Sequence, residues 1–159
     1  MKVGWGVDAH RFATDGQVLL AGIIADAARG IEATSDGDVA AHALIDALLG
    51  AAALGDIGSH YPAEDPRWTN ADSMAMLADA AGRVVGSGYR ISSVDLTIVS
   101  EKVRVDPIRQ EMRSAVAATL QIPLAAVSVK ATTSDGLGFT GRDEGLAAFA
   151  VAVLEVTGG

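Results

Sequence analysis

The sequence predicts a single α/β (α+β) domain over residues 1–159, a mixed β-sheet with helices packed on one face. Three observations lead there. Strand-like segments alternate with three helical ones along the chain, with no internal repeat, linker or low-complexity stretch. The length suits one domain with a sizeable core. Half of the residues are hydrophobic but only 4% are aromatic, so that core is built from Ala, Val, Leu and Ile.

Val3 to Asp8 reads as a strand: Val3, Trp5 and Val7 line an apolar face, while Gly4, Gly6, Asp8 and then His10 share the other. Gly4 and Gly6 leave room for another backbone or a ligand. Gly4-Trp5-Gly6 is no dinucleotide fingerprint, because no helix-opening third glycine follows. Residues 17–24 read as a strand pair or hairpin containing Gly22.

The stretch from Ser35 to Ala47 begins as a turn and becomes a helix. Ser35 is expected as its N-cap, with Asp38 closing a capping box. Val39, Ala40, Ala43, Leu44, Ala47, Leu48 and Ala51 form a core-facing stripe, and Asp38, His42 and Asp46 stack along another line. That spacing also suits local ion pairs.

Residues 54–62 form a glycine- and proline-punctuated loop carrying Asp56, extended by residues 64–68. A second helix is expected over residues 72–85 and a strand over 91–99. A basic loop follows at 100–104, then a third helix from Asp106-Pro107 to about Leu120. Residues 127–131 form a further strand ending in Thr132-Thr133-Ser134-Asp135-Gly136. In the last strand, over 146–156, bulky Phe149, Val151 and Val153 alternate with Ala148, Ala150 and Ala152.

A formal net charge of −8 argues against general nucleic-acid or anionic-membrane binding. No apolar run is long enough to span a membrane, and nothing at Met1-Lys2-Val3 reads as a signal peptide. With no cysteine, disulfides, thiolate nucleophiles and thiolate ligands are all excluded. A metal must then be held by carboxylates and by His10, His42 or His60, the three histidines. Asp8, His10 and His42 supply two imidazoles and one carboxylate, the donor set of a zinc site that keeps a position open for substrate. Asp38 or Asp46 would orient the free nitrogen of His42.

Five blocks in order resemble the 2-C-methyl-D-erythritol 2,4-cyclodiphosphate synthase family of the non-mevalonate isoprenoid pathway: Gly6-Val7-Asp8-Ala9-His10, Ser35 to Ala43, Leu54 to Gly58, Lys130 to Thr133, and Leu137 to Arg142. The resemblance spans essentially the whole chain. It implies a cytoplasmic homotrimer with active sites between subunits, bulky sheet faces packing around the trimer axis, and a cytidine diphosphate substrate. It implies zinc on Asp8, His10 and His42, and a second ion, Mg2+ or Mn2+, with Asp135 as its protein ligand. Asp56 would meet the erythritol hydroxyls, with Thr34, Ser35, Ile57, Gly58, Tyr61 and Asp65 among the other substrate contacts. A neighbouring chain would hold cytidine through the loop from Ser100 to Asp106, including Arg104, and through Ala131, Thr132 and Thr133. Thr133 would donate a hydrogen bond in the transition state. Phe139 and Arg142 would lie near the end of a central cavity where members can hold an isoprenoid diphosphate.

Four positions depart from the family pattern. Thr34 stands where the family usually has a histidine near the reacting phosphates, and Val103-Arg104 where it has Pro-Lys. Ala63 and Asp143 replace a common Asp and Gly. Thr34 supports one competing assignment, a non-catalytic paralogue that binds cytidine or isoprenoid diphosphates. The intact Asp8, His10, His42, Thr132, Thr133 and Asp135 oppose it. A metal-dependent phosphohydrolase would need a water-activating base that the resemblance does not supply.

Overall fold

Two long strands with alternating side chains form the centre of the sheet: β1 (Lys2–Ala13) and β7 (Gly145–Val156), paired antiparallel. The computed structural model describes residues 1–157, so the last two residues of the expected domain lie outside the described residues. β2 (Val18–Leu20) and β3 (Ile23–Asp26) form a separate hairpin, followed by the short β4 (Gly30–Ile31). Then come α1 (Val39–Ala52), α2 (Ile57–His60), α3 (Ser73–Gly86) and β5 (Tyr89–Val99). The chain ends through α4 (Arg109–Leu120), β6 (Val127–Thr132), α5 (Gly138–Gly141) and β7. The five-stranded sheet has the order β4-β1-β7-β5-β6, with only β5 and β6 parallel. It is mixed, as expected.

The two faces of the sheet differ sharply in side-chain size. Gly4 and Gly6 on β1 face Ala152 and Ala150 on β7 across the register, and α1 lies directly over them. On the other face Val3, Trp5 and Val7 pair with Val153, Val151 and Phe149. Among the described residues no helix covers that face, and Trp5 is 63% exposed with its ring stacked on Phe149. α3 packs on α1 and β5, and α4 on β6 and α3, so the main helices share one side.

Three local expectations change. α1 is buried almost all round, not only along the predicted stripe, because the sheet lies on one side and α3 on the other. The third helix begins as a tight turn over Asp106–Ile108 before the regular α4. The loop after α1 contains the one-turn α2.

The cap of α1 is also not Ser35. Asp38 is the N-cap, and its side chain is completely buried. Its Oδ1 accepts from the backbone N–H groups of Ala21, Ala40 and Ala41, and its Oδ2 from Gly22 at 2.7 Å. One carboxylate thus ties the β2–β3 turn to the helix start. Asp38→Asn keeps the shape but turns an N–H2 group toward a backbone donor. It is expected to cost about 2 kcal/mol in urea unfolding, and an unchanged midpoint would contradict this clamp.

Candidate active site

Alternation along β1 puts Asp8 and His10 on the same side of the strand, and the close fit of α1 over Gly4 and Gly6 carries His42 up to them. One donor atom from each of the three lies within 4.8 Å of the others. Asp8 Oδ2 stands 2.9 Å from His42 Nδ1 and 3.1 Å from His10 Nε2.

The protons on these rings identify what the site is built to hold. His10 Nδ1 lies 3.1 Å from the Glu32 carbonyl, which can only accept, so Nδ1 carries the hydrogen and Nε2 presents a lone pair. That Nε2 is buried and makes no hydrogen bond. A buried, unpartnered nitrogen beside a carboxylate oxygen and a second imidazole is the donor set of a divalent cation site.

Burial by itself pushes the Asp8 carboxyl up, but the two imidazoles of His10 and His42 beside it outweigh that and bring the pKa down to about 2. His10 is raised above 6.5, chiefly by the Asp8 carboxylate 3.1 Å from its Nε2. Below that raised pKa His10 is doubly protonated and a metal must expel its Nε2 proton, whereas Asp8 is already ionised. Metal affinity is therefore expected to rise with pH through the elevated His10 pKa and level off above it, by about tenfold per pH unit for each proton released. Chelator competition across pH measures this, and a flat profile would refute it.

The metal-site residues open onto a cleft of about 220 Å³, also lined by Thr34, Ser35, Ile57, Gly58, Tyr61 and Ala63. Tyr61 is buried edge-on to Trp68 and donates to Asp79 at 2.6 Å. Burial first, then that carboxylate, raise its pKa far above the ordinary tyrosine value.

Asp56 and Asp65 serve locally. Asp56 caps α2, accepting from Ser59 N, and Asp65 caps the turn at Pro66–Trp68 while pairing with Arg67. Ser100, Arg104, Ala131, Thr132 and Thr133 line a second cavity of about 190 Å³. Phe139 joins His10 in a third, with Arg142 paired to Glu144 nearby in sequence. Asp135 is exposed in a left-handed turn, its N–H donating to Thr133 Oγ1. Three cavities on one chain therefore hold most of the expected residues, the first and third sharing His10. His60 donates to or accepts at no metal site: its Nε2 meets the Leu54 carbonyl.

The expected partners of His42 are replaced. Asp38 is consumed by its four backbone donors, and Asp46 accepts from Ile57 N. His42 Nε2 instead meets Ser73 Oγ at 2.8 Å and Ser35 Oγ at 3.2 Å. Ser73 went unnoticed because it is distant in sequence. Its one signal was the placement of a serine immediately after the N-cap Asp72, on the buried face of α3. Asp143, where the family usually has glycine, adopts φ +57° and holds Arg29 and Lys102 at 2.9 and 3.1 Å.

Fold and site together define a small α/β protein with an Asp–His–His cluster suited to a divalent cation, beside a largely apolar cleft edged by Thr34 and Ser35. The chain belongs to the YgbB family, which it matches over residues 1–155. It is 49% identical over 154 residues to the 2-C-methyl-D-erythritol 2,4-cyclodiphosphate synthase of Stutzerimonas stutzeri, covering 97% of this chain and 98% of that one. Identity to the synthase of Symbiobacterium thermophilum is 45% with the same coverage. Among solved structures, the bifunctional IspDF from Campylobacter jejuni superposes with a TM-score of 0.94 at 40% identity, covering 98% of this chain and 42% of that larger one. A 2C-methyl-D-erythritol-2,4-cyclodiphosphate synthase in its CDP-bound form gives a TM-score of 0.88 at 32% identity, covering 97% and 100%. The resemblance drawn from the motifs is borne out.

Proposed function

We infer that this chain converts 4-diphosphocytidyl-2-C-methyl-D-erythritol 2-phosphate to 2-C-methyl-D-erythritol 2,4-cyclodiphosphate with release of CMP. The convergence of Asp8, His10 and His42 beside a cleft, in a chain that matches a named synthase over 97% of its length, carries this assignment. The 2-phosphate oxygen attacks the β-phosphorus and CMP leaves. A phosphate is already nucleophilic at neutral pH, so no side-chain base is required, and the protein's task is alignment and charge neutralisation.

Zinc suits two imidazoles and a carboxylate, and Mg2+ or Mn2+ suits Asp135 with phosphate oxygens; when bound they supply Lewis acidity and orientation. Thr133 accepts from Asp135 N, which leaves its own O–H free to donate to the transferring phosphoryl group. Thr34 and Ser35 offer hydroxyls in the cleft, with Ile57, Gly58 and Tyr61 forming its wall. Asp56 and Asp65 remain exposed enough to reach substrate hydroxyls. Ser100, Arg104, Ala131 and Thr132 form the pocket proposed for cytidine.

The bare apolar face formed by Val3, Trp5, Val7, Phe149 and Val151 supports a homotrimer in which these faces meet around the axis. The cleft of one chain would then meet the cytidine pocket of the next. Phe139 and Arg142 would stand near the end of the enclosed cavity. No helix among the described residues is long and apolar enough to cross a membrane, in keeping with a cytoplasmic enzyme.

Phosphorus NMR of the purified protein with substrate, zinc and magnesium tests the assignment. Stoichiometric CMP and a cyclic diphosphate are expected, both abolished by chelation. Inorganic phosphate as the product would mean hydrolysis. CMP binding without turnover would favour the non-catalytic paralogue.

A further inference from the structure

We propose that Ser73 and Asp36 are positioning residues for His42, holding its ring with Nε2 protonated and Nδ1 offered to the metal. The proposal rests on the cation site described above and assigns work to two residues outside its donor set. Ser73 is fully buried at the first turn of α3. Its Oγ meets two groups, His42 Nε2 at 2.8 Å and Asp36 Oδ1.

The directions of these bonds follow from counting hydrogens. A carboxylate has only lone pairs, so Ser73 Oγ must donate its single hydrogen to Asp36. The same oxygen can then meet His42 Nε2 only as an acceptor, and Nε2 carries the proton. Ser35 Oγ, 3.2 Å from Nε2, provides a second acceptor. Nδ1 lies on the opposite side of the ring, 2.9 Å from Asp8 Oδ2, where a metal shared with that carboxylate would take its place.

Asp36 is well placed to impose this order because it is itself fixed. Its Oδ2 accepts from Ser73 N at 3.0 Å, its Oδ1 from Asp38 N at 3.2 Å, and its own N–H donates to the Ala71 carbonyl at 3.1 Å. At His10 the Glu32 carbonyl does the equivalent task from the opposite nitrogen. The two rings are thus locked in complementary tautomers, His10 presenting Nε2 and His42 presenting Nδ1 to one point. The Ser35-Asp36-Gly37-Asp38 motif then divides its labour: Asp38 clamps the helix, and Asp36 sets the ligand through Ser73.

Zinc titration against a competing chelator, on the full chain and its variants, tests this without recourse to turnover. Ser73→Ala is expected to weaken zinc binding by about 10- to 100-fold, and Asp36→Asn by about tenfold. Ser73→Thr, which keeps the hydroxyl, should stay within about threefold. Nitrogen-15 NMR of the zinc-loaded protein should show His42 bound through Nδ1, with an Nε2 proton that exchanges slowly in the wild type and rapidly in Ser73→Ala. Zinc bound through His42 Nε2, or an unchanged affinity in folded Ser73→Ala, would overturn the proposal. Should Ser73→Ala fail to fold, an unchanged affinity in Asp36→Asn overturns it equally. Wild-type protein that binds no zinc would remove the metal site itself, and this inference with it.

Discussion

Replacing Gly6 by alanine is expected to lift α1 from the sheet and to weaken the metal site in the same step. A Cβ at residue 6 would stand 2.1 Å from the Ala43 carbonyl oxygen and 2.6 Å from Ala47 N. Both are backbone atoms of a buried helix, so no rotamer change relieves the overlap. Overpacking of a close-packed core costs up to about 3 kcal/mol when side chains can adjust, and a backbone collision belongs at or above that figure. Asp8 and His10 ride on β1, whereas His42 rides on α1. Any separation of the two elements therefore opens the ligand set. Urea unfolding should show a loss of about 3 kcal/mol or more, and chelator competition a weaker zinc site. Wild-type stability in Gly6→Ala would mean that helix and sheet are less tightly joined than their geometry states.

His42→Ala carries the second large effect, on turnover rather than folding. It removes one of three metal donors and the group that links Asp8 to Ser73. Four-ligand zinc sites are worth about 10–16 kcal/mol, so one ligand accounts for roughly 3 kcal/mol, more than a hundredfold in affinity. Turnover at limiting zinc is expected to fall by about a hundredfold or more, to the level of chelated wild-type enzyme. The comparison with chelated wild type is decisive. A His42→Ala protein that is folded, zinc-free and still active would show that the site is not the catalytic centre. Far-ultraviolet circular dichroism separates this outcome from simple unfolding.

Much of the architecture follows from local pattern. Period-two alternation marks β1 and β7, and apolar spacing marks α1 and α3. Asp8 and His10 could be placed on one side of a strand from parity alone. Pairing them with His42 required the scarcity of histidine and the family motifs, since nothing local connects a strand to a helix some thirty residues away. The caps were harder. Ser35 and Asp38 both suit an N-cap, and the choice fell to Asp38 because the β2–β3 turn delivers two further backbone donors to its carboxylate.

The amino-acid sequence by itself determined the elements, the absence of thiolate chemistry and the three possible histidine ligands, because propensity, periodicity and composition are local quantities. Only the tertiary structure decided that α1 is the element seated on the glycine face of β1, since that depends on the small residues of β1 and β7 aligning across the register. Only it decided that Ser73, rather than Asp38 or Asp46, faces His42. Hydrogen-bond partners are fixed by distance and direction in space, and the chain places Ser73 there by folding α3 against α1.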